Sequence, residues 1–567
     1  MQTRNTYIGR SNFELCFYVD KRLEASATRG PKVPRRQQVQ QRRESFRSMT
    51  PSQFFYEYRE VAGFGSPSRA LYQTVRELVE NALDATDVHG ILPEVTVIIE
   101  KFSPNKPYYK VTVEDNGIGI QPQHVPYAFG QVLYSSKYRL RQARGRFGLG
   151  AKMAILYGQI KTGQPVEVYT SPINSNKIYY YRIKIDIEHN RPIVLTRAEF
   201  PNPSGWHGTR VSVIIEGDWP RARQRVHTYI QRTAIAAPYA NIVFIDPDGN
   251  IVVYTRQIEK LPPIPREVKP HPHGVDIELL KQLIKKTQAK NMLEFMIEAF
   301  QGVGKKTAES FLEFAKIDKN LDPHKLDDRQ LEYLARKLRE YPRFRPPSAD
   351  ALSPFGPSII EAGLRAILKP EFVTAVTRRP KAYEGHPFIV EVGIAYGGNI
   401  PPSNEPILLR YANKIPLLYD EKADVAWKVV DPKNFDWKAY LVNFPAPIAV
   451  LTHIASTKVP YKGVGKESVA DVPEIERELR NALREAARRL RDYLLKKRKE
   501  EEAKKRIVTF MKYTPEVAKS LAVILKDYGV KEEEVRNMLL AAMKKRLGLE
   551  DKKFEELVKG LEVTVEE

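Results

Sequence analysis

The chain has 567 residues, of which 42% are hydrophobic and 28% are charged, and its formal net charge is +22. This length predicts about three or four domains, and this composition is that of an ordinary folded protein. A single cysteine, Cys16, excludes an intrachain disulfide framework and a cysteine-rich zinc site. The sequence has neither an apolar run of about 18 residues nor a secretory signal, so we expect a cytoplasmic protein.

The positive charge favours a polyanionic partner such as nucleic acid. The chain has 91 lysine and arginine residues against 69 acidic residues, and these basic side chains bind phosphates. A thermophilic origin is an alternative reason for high charge. Residues 1–48 hold 11 basic and 4 acidic residues and are predicted to be a disordered basic arm. The arm is either a nucleic-acid tail or the result of an upstream start codon. We prefer the second interpretation, in which translation begins at Met49.

Helix and strand patterns alternate between residues 49 and 262. Apolar residues recur at helical spacing over 70–86, whereas 95–100 and 108–115 have the pattern of strands. These patterns predict a mixed domain of helices and strands with a mostly antiparallel sheet. The proline-rich stretch 261–274 is predicted to be a linker.

The remainder of the chain divides into helical and mixed regions. Residues 275–345 lack strand patterning, strands return over 386–455, and a long helix begins at Pro473. We therefore predict an α+β multidomain protein. Its parts are the arm 1–48, a first domain 49–262, a helical domain 263–345, an α/β domain 346–510 that ends in the long helix, and a small helical tail 511–567.

The first motif with chemical meaning lies on the helix over 70–86. Glu77, Asn81 and Asp84 are spaced so that they share one helical face. An amide oxygen such as that of Asn81 is a hard ligand for Mg²⁺, and the Glu77 carboxylate can act as a general base on water. A solvated helix face has the same spacing, so this motif alone is weak.

The second motif is a strand that runs into a glycine-containing turn. Asp115 ends the strand 108–115, and Gly117 and Gly119 follow it. Glycine permits close backbone approach and positive φ, and the carboxylate of Asp115 can accept a hydrogen bond from an exocyclic base amine. An ordinary Asn-Gly hairpin turn is the alternative interpretation.

The third motif is a glycine-rich loop before an apolar helical stretch. Free N–H groups in such a loop, at a helix N-terminus, can hold phosphate oxygens. It follows a basic loop that starts with Ser136 and Lys137, and a Gly208–Thr209 pair comes later. The glycine-rich loop comprises Gly145, Arg146, Phe147, Gly148, Leu149, Gly150, Ala151 and Lys152.

The order and spacing of these motifs resemble the Bergerat-type ATPase fold. That superfamily contains gyrase-type topoisomerases, Hsp90 chaperones, MutL repair proteins and sensor histidine kinases. The resemblance implies that Glu77 is the general base, Asn81 the Mg²⁺ ligand and Asp115 the residue that reads adenine. It implies ATP contacts at Asn81, Asp84, Asp115, Gly117, Gly119, Ser136, Lys137, residues 145 to 152, and Thr209.

The wider sequence resembles the B-subunit family of the archaeal type IIB DNA topoisomerases. The segments RALYQTVRELVENALDATDVHGILP, GHPFIVEVGIAYGGNIP and STKVPYKGVGKES carry this resemblance. It implies a Bergerat-type ATPase α/β sandwich, a helix-two-turns-helix domain over 263–345 and an α/β transducer. The implied activity is that of an ATP-hydrolysing type II topoisomerase with ATP and Mg²⁺ as cofactors. The implied partners are double-stranded DNA, an A-type subunit in an A2B2 heterotetramer, and a second copy of the chain when ATP binds. The implied location is the nucleoid.

The same resemblance suggests two further sets of residues. A transducer lysine reaches the γ-phosphate in this family, and we choose Lys458, with Lys462 and Lys466 as close competitors. The segment Trp437, Lys438 and Tyr440 resembles a DNA-contacting motif of the family, although aromatic side chains packed in the core have the same pattern.

Three alternatives remain at this level. The Asp246 and Asp248 pair after a strand could be the metal site of a DNA-cleaving enzyme, but a Pro-Asp-Gly hairpin turn explains it better. His271 and His273 suggest a metal site only weakly, because no cysteine or acidic residue lies beside them. A MutL-like or Hsp90-like ATP-operated clamp is the alternative function.

Overall fold

The computed structural model of this chain describes residues 48–145, 148–463 and 466–547. The predicted basic arm lies almost entirely outside these residues, as do Arg146 and Phe147 of the glycine-rich loop. Within the described ranges, no helix is both long and apolar enough to cross a membrane.

The first half of the chain forms one large sheet with helices packed on it. The sheet has eight strands in the order β5-β4-β3-β6-β2-β1-β7-β8. Only β1 and β7 are parallel to each other, so the prediction of a mostly antiparallel sheet is confirmed. The strands are β1 (Glu94–Lys101), β2 (Tyr108–Asp115), β3 (Val166–Ser171), β4 (Lys177–Asp186), β5 (Arg191–Pro201), β6 (Gly208–Glu216), β7 (Asn241–Ile245) and β8 (Ile251–Tyr254).

Helix α2 (Pro67–Thr86) is central to this half. The Ser66 hydroxyl accepts a hydrogen bond from the backbone N–H of Arg69, and Pro67 stands at the first helical position, where its missing N–H costs nothing. Its apolar face joins the sheet and the neighbouring helices in one hydrophobic core. The other helices of this half are α1 (Pro51–Glu57), α3 (Val125–Gly130), α4 (Gly150–Thr162) and α5 (Trp219–Ala236).

A helical segment follows the proline-rich linker. Side chains of Asp276, Asn291 and Asp327 cap three of its helices by accepting backbone N–H hydrogen bonds. These helices enclose a separate core that includes Phe295 and Phe311, and residues 275–345, all of which are described, contain no strand. The helices are α6 (Ile277–Lys286), α7 (Met292–Ala299), α8 (Lys305–Ala315) and α9 (Asp328–Glu340).

The second sheet begins after this segment and has six strands. Its order is β10-β11-β14-β12-β13, and β9 pairs with β11 beside β10. Strand β14 lies in the middle and is buried along its whole length, which explains its nearly continuous apolar sequence. The elements are α10 (Pro357–Leu368), β9 (Phe372–Thr377), β10 (Lys381–Tyr383), β11 (His386–Tyr396), β12 (Ile407–Ala412), β13 (Ile415–Pro416), α11 (Val425–Val430) and β14 (Ile448–Ser456).

Helices α5 and α10 bring the two sheets into one continuous hydrophobic core. Gly363 on α10 makes this close approach possible, because a Cβ atom there would overlap the carbonyl oxygen of Ile235 on α5. The two halves of the chain are therefore in direct apolar contact.

The long helix α12 (Pro473–Ile524) packs on the second sheet with its N-terminal part. Its buried residues include Ile475, Leu479, Leu483 and Leu490, which lie on one face of the helix. Beyond them a charged stretch continues the helix. Glutamate and lysine are good helix formers, and pairs such as Arg498 and Glu502 support this stretch at i,i+4 spacing. Past it the helix again has buried residues, Ile507, Thr514 and Ala518, and it crosses the predicted boundary at residue 510. Helix α13 (Glu532–Leu547) follows.

Candidate functional site

A cavity of about 690 Å³ lies between α2, the end of β2 and the start of α4. Its volume suits a nucleotide-sized ligand. Gly117 and Lys458 do not line the cavity, whereas Lys466 does. The predicted residues that line it are Glu77, Asn81, Asp84, Asp115, Gly119, Ser136, Lys137, Gly145, Gly148, Leu149, Gly150, Ala151, Lys152 and Thr209.

Glu77 points from α2 towards the N-terminus of α4. The absence of a side chain at Gly150 makes this possible, because a Cβ atom there would overlap the Glu77 carboxylate. Gln73, one turn earlier on α2, donates its amide N–H to Glu77 Oε1 at 2.8 Å. Burial, and the neighbouring Glu80, raise the pKa of Glu77, while the positive charges of Lys466, Arg76 and Lys137 oppose the shift. A carboxylate in this setting is a better proton acceptor than an ordinary glutamate.

Asn81 and Asp84 share one cation. Lys137 donates from Nζ to Asn81 Oδ1 at 2.8 Å and to Asp84 Oδ2 at 2.7 Å. Burial alone raises the pKa of Asp84, but Lys137 and Arg144 outweigh it and hold that pKa below its usual value. The two oxygens on this face of α2 are therefore oriented to bind a positive charge, and oxygen atoms of this kind are the ligands that a hard divalent cation prefers.

Asp115 lies at the end of β2, almost fully buried. Its Oδ1 accepts a hydrogen bond from the backbone N–H of Gly117 at 2.8 Å. Gly117 therefore holds this carboxylate in position although it does not itself line the cavity. Burial raises the pKa of Asp115 to about 7, although the backbone hydrogen bonds from Gly117 and Thr209 oppose this. The carboxylate is thus a desolvated hydrogen-bond acceptor in the cavity lining.

Lys152 connects the described part of the glycine-rich loop to Tyr134, which precedes the basic loop. Lys152 Nζ donates to the backbone oxygen of Gly148 at 2.9 Å and to that of Tyr134. Burial and the charge of Lys137 lower the pKa of Lys152 to about 8. Gly150 and Ala151 begin α4 beside it and line the cavity, so helix N–H groups and a buried cation meet at one place. This combination suits an anion such as a phosphate.

The three candidate lysines of the second half occupy different positions. Lys466 lines the cavity, and its Nζ lies 3.4 Å from the backbone oxygen of Arg144. Lys458 has a side chain that is 53% exposed and pairs with Glu384 at 3.6 Å. Lys462 pairs with Asp471 at 3.7 Å. Our choice of Lys458 is therefore not supported by the geometry, and its competitor Lys466 takes the place beside Glu77.

The loop that carries Lys466 is fastened to α2. Glu467 pairs with Arg69 in the first turn of that helix, and its backbone oxygen accepts from the buried Arg410 at 3.4 Å. The glycines in KGVGKES indicate a turn before Lys466 but do not indicate its direction. Sequence reasoning also missed Gln73 and Arg76, which line the cavity. Gln73 stands one turn before Glu77, so helical spacing could have identified it.

The Trp437 segment forms a short 3-10 turn against α12. The Trp437 side chain is 2% exposed, and its indole N–H donates to the backbone oxygen of Val430 at 3.0 Å. Tyr440 stacks on Phe435, whereas Lys438 is exposed. A DNA contact by the Trp437 ring is thus incompatible with this packing, and only Lys438 of the three is free of the core.

The residues of the two suspected metal sites are engaged in hydrogen bonds of the fold. Asp246 accepts three hydrogen bonds from Asn250 and one from the N–H of Asp248, as in a hairpin turn, and pairs with His227. His271 and His273 hydrogen-bond the backbone oxygens of Arg345 and Tyr341. No group of three or more potential metal ligands is present among the described residues.

Two known protein families match parts of this chain. Residues 67–188 match the family described as histidine kinase-, DNA gyrase B-, and HSP90-like ATPase. Residues 347–506 match the family described as topoisomerase VI B subunit, transducer. Among solved structures, the N-terminal domain of a DNA repair protein aligns with a TM-score of 0.37 and 12% identity, over 77% of this chain and 98% of that chain.

Relatives described as the B subunit of type 2 DNA topoisomerase 6 align over nearly their whole length. The protein from Metallosphaera sedula is 54% identical over 90% of this chain and 98% of its own length. That from Sulfurisphaera tokodaii is 52% identical over 92% and 99%, and that from Saccharolobus shibatae is 50% identical over 89% and 97%. Because identity is this high over nearly the whole length of these chains, this chain belongs to the B-subunit family of type 2 DNA topoisomerase 6.

Proposed function

We propose that this chain binds and hydrolyses ATP in the described cavity and thereby operates a type IIB DNA topoisomerase as its B subunit. The observation that carries the proposal is the convergence of Glu77, Asn81 and Asp115 with the N-terminus of α4 on one cavity. A nucleotide hydrolase needs a general base, a metal ligand, a residue that recognises adenine and a loop that holds the phosphates.

Each residue has a distinct task in this proposal. Asp115 accepts a hydrogen bond from the exocyclic amine of adenine. The described glycines 145, 148 and 150 with Lys152 hold the phosphates, and Lys466 approaches the terminal phosphate from the second half of the chain. Glu77 takes a proton from the attacking water.

Asn81 Oδ1 fits a Mg²⁺ ion, because it is a neutral oxygen that faces the cavity and already contacts a cation. The ion would neutralise charge on the phosphate oxygens. Asp84 lies one turn further along α2, and its negative charge holds Lys137 near the same place.

The proposed partners rest on the chemistry that DNA cleavage requires. Double-strand passage requires a nucleophile and a metal site for DNA cleavage, whereas the Asp246 turn is fully engaged in its own hydrogen bonds. We therefore propose that an A-type subunit cuts the DNA in an A2B2 assembly. ATP binding by two B chains would close a gate over the transported duplex. Such a complex would reside in the cytoplasm on the nucleoid.

We also keep the proposed domain boundaries at 49–262, 263–345 and 346–510. The separate core of the helical segment supports the first two boundaries. The boundary at residue 510 does not coincide with the end of a helix, since α12 continues to Ile524.

Reconstitution with an A-type subunit tests the proposal. Supercoiled DNA incubated with the purified chain, Mg²⁺ and ATP should remain intact and supercoiled, and relaxation should begin when the A-type subunit is added. Asp246→Asn and Asp248→Asn should relax DNA as the wild type does. Protein-linked breaks made by this chain alone would contradict the division of labour.

A further inference from the structure

The loop over residues 139–145, which leads into the glycine-rich segment, is clamped to the start of the transducer match. The backbone N–H of Gln142 donates to the backbone oxygen of Ala351 at 2.8 Å. The Gln142 side-chain amide then exchanges two hydrogen bonds with the backbone of Ser353, at 2.6 Å and 3.2 Å. Gln142 and Ser353 are both buried, so this clamp is shielded from competition by water.

A buried ionic cluster makes a second connection directly before the glycine-rich segment. Arg144 donates from Nη1 and Nη2 to the two carboxylate oxygens of Asp87, at 3.1 Å and 2.8 Å. Lys414, in the turn between β12 and β13, places its Nζ 3.4 Å from Asp87 Oδ2, and Tyr239 donates to the same oxygen at 3.0 Å. Asp87 is fully buried and Lys414 is 5% exposed at its side chain. A transducer lysine thus helps neutralise the carboxylate that orients Arg144.

Lys414 is itself held by a chain of hydrogen bonds in the second sheet. Its backbone N–H donates to His453 Nε2 at 3.0 Å, and His453 Nδ1 lies 2.7 Å from Glu391 Oε2. Because Nε2 accepts, the proton is assigned to Nδ1, which donates to Glu391. Glu391 also accepts the N–H groups of Phe355 and Gly356, immediately before α10. The position of Lys414 therefore depends on β11, β14 and the start of α10 together.

The cluster also reaches the cavity. Arg144 Nη1 donates to Asp84 Oδ1 at 3.0 Å as well as to Asp87, and Asp84 shares Lys137 with Asn81. A change in the charge near Asn81 and Asp84 consequently alters the balance of bonds on Arg144. In a buried cluster of low dielectric, few other groups can compensate for such a change in charge.

We propose that Lys414 is a positioning residue for nucleotide-driven closure, which with Gln142 couples the loop 139–145 to the second sheet. This inference rests on the proposed ATP function. Lys466 lines the cavity, whereas the side chain of Lys414 pairs with Asp87 behind it, so the two lysines are separate links. Lys414 transmits movement of the loop 139–145 and does not contact nucleotide.

Two variants and one control test the coupling in the full chain. Lys414→Met removes the ammonium group and keeps the length of the side chain, and Gln142→Leu removes the amide clamp. Lys428→Met is the control, since Lys428 forms an ion pair with Glu476 on the outer surface of the same half. Three quantities are measured with a non-hydrolysable ATP analogue and ATP: analogue affinity of the monomer, protein concentration at half-dimerisation, and kcat with KM.

We expect both variants to bind the analogue within about twofold of wild type. Lys414 does not line the cavity, and Gln142, which lines it, engages its side-chain amide with the backbone of Ser353. The concentration at half-dimerisation should rise roughly 3- to 30-fold, the usual range for a lost coupling contact, and kcat should fall while KM changes little. Lys428→Met should behave as the wild type in all three measurements.

A purely structural function of Lys414 would lower the melting temperature but leave the nucleotide-dependent dimerisation of the folded variant like that of the control, and this result would overturn the inference. If Lys414→Met does not fold by circular dichroism, Gln142→Leu decides by the same criteria. A wild-type chain that neither binds nor hydrolyses ATP would overturn the proposed function and this inference together. An active wild type with unaffected variants would overturn the inference alone.

Discussion

Lys137 Nζ lies 2.8 Å from Asn81 Oδ1, so a lysine ammonium group contacts the oxygen that we assign to Mg²⁺. The same ammonium group lies 2.7 Å from Asp84 Oδ2. Two cations cannot share one amide oxygen without strong repulsion, so Lys137 has to move towards the phosphates when a metal–nucleotide complex enters.

Removal of this cation should weaken nucleotide binding. In Lys137→Met, the carboxylate of Asp84 keeps only Arg144, and the triphosphate loses a positive partner. A charge-assisted hydrogen bond contributes about 1.5–3 kcal/mol, so we expect KM for ATP to rise about tenfold or more. Lys177→Met, which removes an exposed ion pair with Glu199, is the matched control. Equal KM values in steady-state ATPase assays of the two variants would contradict this assignment.

Glu77 and Asn81 should fail in different ways. Glu77→Ala should retain nucleotide binding by calorimetry but lose roughly 10²–10⁴-fold in hydrolysis, the usual effect of removing a positioned base. Asn81→Ala should weaken binding of Mg²⁺-ATP itself, because the lost group is a metal ligand. Hydrolysis by Glu77→Ala at a rate near that of the wild type would show that another group is the base.

Nucleotide affinity should depend on pH through Asp115. The pKa of this carboxyl is about 7 in the folded protein, above its ordinary value, because the group is buried. The ionised form accepts the adenine amine, so affinity should fall as pH decreases below 7, by about tenfold for each unit. Without nucleotide, the same raised pKa means that folding stability contributed by this group decreases as pH rises from about 4 towards 7.

Asp115→Asn separates this effect from other titrations. An amide oxygen still accepts a hydrogen bond but does not ionise over this range. The variant should bind ATP more weakly at pH 8, and its affinity should change little between pH 6 and pH 8. Calorimetric titrations that show the wild-type pH dependence in the variant would exclude Asp115 as its origin.

Lys466 and Lys458 provide a direct contrast within one loop region. Lys466 lines the cavity, whereas Lys458 is mainly exposed beside Glu384. Lys466→Met should therefore reduce ATP hydrolysis by at least about tenfold, as expected for a lost charge-assisted contact, and Lys458→Met should change it by less than about twofold. The reverse order of effects in parallel ATPase assays would restore Lys458 as the phosphate-contacting lysine.

The elements around the cavity were predictable because their signals are local. The apolar spacing over 70–86 gives α2 and places Glu77, Asn81 and Asp84 on one face, as the cavity lining shows. The glycines after β2 and before α4 indicate turns, because glycine adopts backbone conformations that other residues avoid. The order and spacing of these motifs then carried the family resemblance, which implied the function of each residue.

Features that depend on distant packing could not be predicted. Asp87 and Lys414 are 327 positions apart, and only the fold brings them together. The position of Lys466 depends on its neighbour Glu467, which contacts Arg69 and Arg410. The boundary predicted at 510 falls inside α12, which continues through Pro515 to Ile524 and packs against α13, a contact that the sequence does not show.

Nucleotide-driven dimerisation tests the central claim most directly. Light scattering of the purified chain, with Mg²⁺ and a non-hydrolysable ATP analogue, should show a shift from monomer to dimer, and Asn81→Ala should need a higher analogue concentration for the same shift. A wild-type chain that stays monomeric at saturating analogue would contradict an ATP-operated gate.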